Sequence, residues 1–212
     1  DSMGSGSFSS GSPVGFESGV ILGSGRVIDV VGPNINDSTT WDFALPGDSD
    51  LDSLIPGYYT YDATVLEFDF ECPEGTTGGD EISFYYVFAS EEYNEWVNSP
   101  YNDVFGFFLN GANIALLPDG VTPVSINNVN NGRSVQGGLP GIDPSNPDYY
   151  INNDLNDGGP FLDVEADGLT VVLGAQATDQ VACHVDNPRL NAERARNHLV
   201  NVVPGERLVG GN

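Results

Sequence analysis

Seven side chains with carboxylate or amide oxygens crowd one connection of the chain, SEEYNEWVNSPYND: Glu91, Glu92, Asn94, Glu95, Asn98, Asn102 and Asp103. A tight turn needs fewer such groups. Hard cations prefer these donors, and Ca2+ takes roughly six to eight oxygens at roughly 2.3–2.6 Å. Glu91, Glu92, Asn102 and Asp103, at the two ends of the connection, are therefore the first candidate Ca2+ site. The alternative is a solvated loop tied by its own hydrogen bonds.

Two further runs space acids as calcium loops do. Asp48, Asp50 and Asp52 alternate in GDSDLDSL, and Asn152, Asp154, Asn156 and Asp157 precede Gly158-Gly159. Neither is an EF-hand, because the sixth and twelfth positions counted from Asp48 hold Ser53 and Tyr59, where that loop requires Gly and Glu. Asx-turns and helix capping are the favoured reading of both runs, with metal ligation as the alternative.

Aromatic residues accompany these acids. Trp41, Tyr93, Trp96 and Tyr101 offer rings on which a sugar could stack, so a carbohydrate-binding module is the second function class. Such rings more often cover the end of a core. A paired-carboxylate glycoside hydrolase, with Glu91 and Glu95 as the acids, is a third class, and it requires two acids across a cleft. Triad, Cys/His or His-ligated zinc chemistry would rest on His184, His198 and Cys183, which all lie near the C-terminus. The chain is accordingly read as a non-enzyme.

The formal charge of −25, from 31 Asp plus Glu against 6 Lys plus Arg, repels nucleic acid and anionic membranes and attracts cations. Salt adaptation would also produce an acidic chain, but here the acids gather with Asn and Gly in loops, which favours bound Ca2+. Cys72 and Cys183 lie far apart with no zinc-like spacing; a single disulfide between them is an open alternative. No apolar run reaches the roughly 18 residues that span a bilayer, so direct membrane insertion is not expected. Asp1 does not begin a signal peptide, and the chain reads as a mature or excised segment.

Holding oxygen donors in place requires rigid elements, and the pattern supplies strands. Ile82, Phe84, Tyr86 and Phe88 alternate with Ser83, Tyr85, Val87 and Ala89, and Val104 to Leu109 is an apolar run of strand length. Further strands are expected at Gly19 to Leu22, Arg26 to Val31, Ala63 to Phe70, Ala112 to Leu117, Val124 to Val129 and Leu169 to Ala175. Asn110-Gly111 reads as a hairpin turn. Abundant Gly and Pro between short strands predict an all-β, antiparallel β-sandwich of jelly-roll type with long irregular loops, Gly132 to Asp167 being the longest. Residues 1–15 read as a flexible Gly/Ser-rich lead-in, 16–181 as the β domain, and 182–212 as a divergent segment with a weak helix signal at Asn191 to Val200.

Several ordered segments carry a family resemblance: FESGVILGSGRV (Phe16 to Val27), LPGDSDLDSLIPG (Leu45 to Gly57), YDATVLEFDF (Tyr61 to Phe70), FYYVFASEEYNEWVNSPYNDVFGFFLNG (Phe84 to Gly111), NIALLP (Asn113 to Pro118), PVSINNVN (Pro123 to Asn130), YYINNDLNDGG (Tyr149 to Gly159) and DGLTVVL (Asp167 to Leu173). Together they resemble the choice-of-anchor L domain family of bacterial surface proteins over most of Phe16 to Val181. The resemblance implies a secreted, cell-surface β domain with no established enzymatic activity, in proteins carrying one of several alternative anchors. Members usually close with strands like IKLAIAD and DSAVFL, whereas this chain runs QVACHVDNPRLNAERARNHLV after Asp179. A sheet lacking those strands would expose an edge, so expected partners are a second copy, another surface protein or a glycan, in adhesion or in an extracellular layer or filament.

Overall fold

The computed structural model describes residues 3–9, 12–39, 41–69, 82–135, 139–155, 162–177 and 194–197. Every strand pairing among them is antiparallel, in six two-stranded ladders and one three-stranded sheet. The all-β class expected from composition holds; a jelly-roll strand order is not among the described pairings.

Strand β1 (Ser5–Ser9), within the expected lead-in, pairs with β2 (Ser18–Leu22). The Phe8 ring lies across Gly19, where a Cβ would sit 2.8 Å from Cε1, and the absent side chain lets the ring cover the backbone. Val27 N–H also donates to Met3 O (2.9 Å) and Gly23 N–H to Gly4 O (2.7 Å). The strand expected at Arg26 to Val31 is instead a 3-10 turn at Val27–Val30. Arg26 Nε bonds Asp29 Oδ2 at 2.7 Å, a three-residue spacing that suits a turn and not a strand.

Helix α1 (Ser49–Leu54) is an element that periodicity missed. Asp48 caps it, accepting from the N–H groups of Asp50 (2.9 Å) and Leu51 (3.2 Å). Leu51 and Ile55 then pack on Val104 and Phe108.

The remaining strands are short: β3 (Leu66–Asp69), β4 (Ile82–Tyr86), β5 (Ala89–Ser90), β6 (Val104–Phe105), β7 (Phe108–Leu109), β8 (Ala112–Asn113), β9 (Val124–Ser125), β10 (Arg133–Val135), β11 (Leu139–Ile142), β12 (Tyr150–Asn152), β13 (Gly168–Thr170), β14 (Leu173–Ala177) and β15 (Arg194–Asn197). The continuous strand expected at Val104 to Leu109 is broken at Gly106-Phe107, because Asn113 Oδ1 accepts the Phe107 N–H at 3.0 Å in place of a ladder partner. Strands β7 and β8 form the expected hairpin, with Asn110 and Gly111 at φ 50° and 83°. Residues 194–197, inside the expected helix, pair as β15 with β3.

The main core gathers Phe88, Tyr93, Val97, Phe105, Phe107 and Ile126. Aromatic pairs thread it: the rings of Tyr86 and Phe105 are 4.4 Å apart, and those of Tyr93 and Tyr150 4.8 Å. A smaller cluster joins Ala89 and Leu169 of the three-stranded sheet β12-β13-β5 to Val164 and Ala166. That sheet places the acids described next.

Candidate metal centre

In this sheet Asn152 pairs with Gly168 and Gly168 with Ser90, so β12 ends, β13 begins and β5 ends at one rim. The ladder continues one step further: Asn153 N–H donates to Asp167 O (2.8 Å) and Asp167 N–H to Ser90 O (3.2 Å). Acids follow on all three segments: Glu91 directly after β5, Asp154 two residues after β12 and Asp167 directly before β13. Glu95, in the turn that follows Glu91, completes the group. Carboxylate oxygens of Glu95, Asp154 and Asp167 all lie within 4.8 Å of one another.

A second layer of side chains fixes this rim. Asn34 Nδ2 donates to Asp167 Oδ1 (2.9 Å), Asn153 O (3.0 Å) and Ala166 O (3.3 Å). Asn153 Nδ2 donates to Val164 O and Ala166 O, and its Oδ1 accepts the Leu162 N–H. Glu165 accepts from the N–H groups of Ile35 and Asn36 and from the Thr39 hydroxyl, which docks the segment after Asn34 onto the same region. Gly168 is needed here because a Cβ would sit 2.6 Å from Tyr93 Cδ2 and closer still to the Tyr150 ring.

The electrostatics are one-sided. Glu91 is 2 % exposed and Asp154 and Asp167 are 0 % exposed. Burial pushes the Glu91 carboxyl up to about 8, and the negative charges of Glu165, Asp37 and Asp154 push the same way. The Thr39 amide faces it and counters this in part, yet neither Glu91 oxygen reaches a donor at hydrogen-bond geometry. Burial, then Glu91, push Asp167 up to about 10; Asn34 opposes this, holding Oδ1, while Oδ2 has no hydrogen-bond partner. Among the described residues, every charged group acting on the two is negative. Of the arginines, Arg26 is engaged elsewhere, bonding Asp29 and lying 4.0 Å over the Trp41 ring. An arrangement of this kind can share protons among its acids or hold a cation.

The residues expected at the first site part company. Asp103 Oδ2 accepts from Ser90 Oγ (2.6 Å), whose oxygen accepts the Glu92 N–H (2.9 Å), and Asn102 Oδ1 accepts the Asn127 N–H (3.0 Å). These three organise the connection, while Glu91 turns to the rim. Asp48 caps α1, and Asp52 Oδ1 accepts from the Thr60 N–H (2.6 Å) and hydroxyl (2.8 Å), so the Asp48, Asp50 and Asp52 run is wound into a helix start. Asn152 Oδ1 accepts the Asp154 N–H at 2.9 Å in an Asx-turn, which aims Asp154 at the rim. Asp157 lies outside the described residues.

Of the rings expected to stack on a ligand, Tyr93 is corrected: it is 0 % exposed and packed between Phe88 and Tyr150. Its apolar body fills the core under the acids, and burial pushes its hydroxyl well above the usual range. Trp96 is 42 % exposed and stands edge-on to Tyr101 at 4.8 Å; Trp41 is 41 % exposed beneath Arg26.

Asp167 and Asn34 were not among the expected site residues. Their sequence signals are Glu165-Ala166-Asp167-Gly168 directly before an apolar run and Gly32-Pro33-Asn34 after another. Only strand pairing across the chain joins them.

No curated protein and no solved structure matches the chain. A family model described as the Choice-of-anchor L domain matches residues 1–186, including the whole rim and strand β1. Among the described residues no helix is long and apolar enough to cross a membrane. The chain belongs to the choice-of-anchor L domain family, a family of extracellular, surface-associated modules and not a known enzyme family.

Proposed function

We propose that the chain is a non-enzymatic module of the bacterial cell surface, secreted and used for adhesion or for building an extracellular layer or filament, with Ca2+ holding its loops. The family match over residues 1–186 carries this reading. The burial of Glu91, Asp154 and Asp167 favours a structural role for the acids, since a polysaccharide cannot reach carboxylates closed off from solvent. Exposed Trp96 and Trp41 keep a glycan as the alternative partner.

The test uses the purified full chain with millimolar Ca2+. Light scattering at rising concentration reads self-association, and chain-coated beads read attachment to bacterial cells. Assembly or attachment supports the module. A chain that stays monomeric and leaves beads unattached overturns both roles, and glycan binding lost on Trp96→Ala would then identify a carbohydrate-binding module.

A further inference from the structure

We propose that Glu91, Glu95, Asp154 and Asp167 form a Ca2+ site that ties the ends of β5, β12 and β13 together. The proposal rests on the calcium part of the reading above and names the site.

Three observations converge on it. One carboxylate oxygen from each of Glu95, Asp154 and Asp167 lies within 4.8 Å of the other two, close enough for a single ion to touch all three at roughly 2.4 Å. Mg2+ dehydrates reluctantly and is seldom held by a cage of protein carboxylates, which favours Ca2+. Next, both oxygens of Glu91, whose charge acts on Asp154 and Asp167, and Oδ2 of Asp167 itself are buried without a hydrogen-bond partner. A buried carboxylate oxygen with no donor is costly, and a cation is the ligand that removes that cost for several acids at once. Finally, Asn34 holds Oδ1 of Asp167 and leaves Oδ2 without a donor, as an outer residue orients a metal-ligating carboxylate.

The donor set is oxygen only, which suits a hard cation and not zinc. Glu95, partly exposed, stands where an ion would enter from solvent, while the other three acids are buried. Water would complete the six to eight oxygens that Ca2+ takes.

Calorimetric titration of the full chain with CaCl2 and with MgCl2, after EDTA treatment and dialysis, tests the site. Tb3+ emission excited through tyrosine gives a second reading, because Tyr150 adjoins Asp154 and Asp167. The variants are Glu91→Gln and Asp167→Asn, with Asp50→Asn as control. The neutral amides relieve repulsion, so the metal-free variants are expected to melt no lower than the parent chain, which separates lost binding from lost folding.

The expected result is one Ca2+ per chain, weakened by either site variant beyond the roughly 10–100-fold typical of an outer residue, and unchanged in Asp50→Asn. Ca2+ bound equally by parent and site variants overturns the site but leaves calcium-held loops intact. No Ca2+ bound by the parent overturns both, and attachment measured without calcium then decides the surface role. Equal affinity for Mg2+ overturns the choice of ion.

Discussion

Asn34 reaches Asp167 across 133 positions of sequence, its amide donating to Oδ1 at 2.9 Å while the same nitrogen serves Asn153 O and Ala166 O. One side chain thus secures an acid and two backbone carbonyls, all on buried residues. Asn34→Ala strands Asp167 Oδ1 and takes a donor from Asn153 O, while Ala166 O keeps the Asn153 amide. The expected cost is on the order of 3 kcal/mol, a fall of roughly 6–12 °C in thermal midpoint. A fall under about 2 °C would show that the contacts are dispensable.

Gly168→Ala tests the packing beneath the acids. The added methyl meets Tyr93 and Tyr150, both held in the core, and neither ring has room to retreat. A loss of about 1–3 kcal/mol or more is expected in urea unfolding. An unchanged midpoint would mean that the two rings move freely.

Acidity should stabilise the EDTA-treated chain. Unfolded, Glu91 and Asp167 release their protons near their ordinary values of 4.5 and 3.8; folded, they hold them up to about 8 and about 10. The folded state binds more protons between these limits. Stability is therefore full below about pH 4 and falls as pH rises through 8 and on toward 10. Glu165, Asp37, Asp154 and Glu95 face the pair and strengthen the trend. Thermal midpoints measured from pH 4 to 9 should drop steeply for the parent chain and little for a Glu91→Gln, Asp167→Asn double variant. Parallel curves would refute it.

At the other acidic run the expectation is local. Asp48→Ala removes the cap of α1 and should cost about 1 kcal/mol, whereas Asp50→Ala, whose side chain caps nothing, should stay within about 0.5 kcal/mol. Equal losses in chemical denaturation would contradict the assigned cap.

Much of this arrangement was visible in short-range pattern. The alternation at Ile82 to Phe88 and the Asn110-Gly111 turn each specify their own geometry within a few residues, and the structure follows both. Helix α1 was hidden because a six-residue helix presents only Leu51, Leu54 and Ile55, too few for a helical period, while its strongest signal, Asp48 before an acidic first turn, equally fits an ion-binding loop. Strand β1 was hidden because serine and glycine carry no apolar alternation; its pairing depends on Phe8 lying over Gly19. At the rim, Glu91 and Asp154 were legible as acids in loops, but Asp167 and Asn34 join them only through pairing between distant segments. Charge density along the chain cannot convey which acids share a rim.

The pairing of Ser90 with Gly168 also bears on how the chain reaches this state. Hairpins such as β7–β8 close a loop of a few residues and can form early, whereas β5 and β13 must find each other across much of the chain, at a greater entropic cost of closure. With only two rungs between them, those strands gain little until the flanking segments arrive. Docking of β5 on β13 is thus expected to follow the local hairpins, and the acidic rim forms with it.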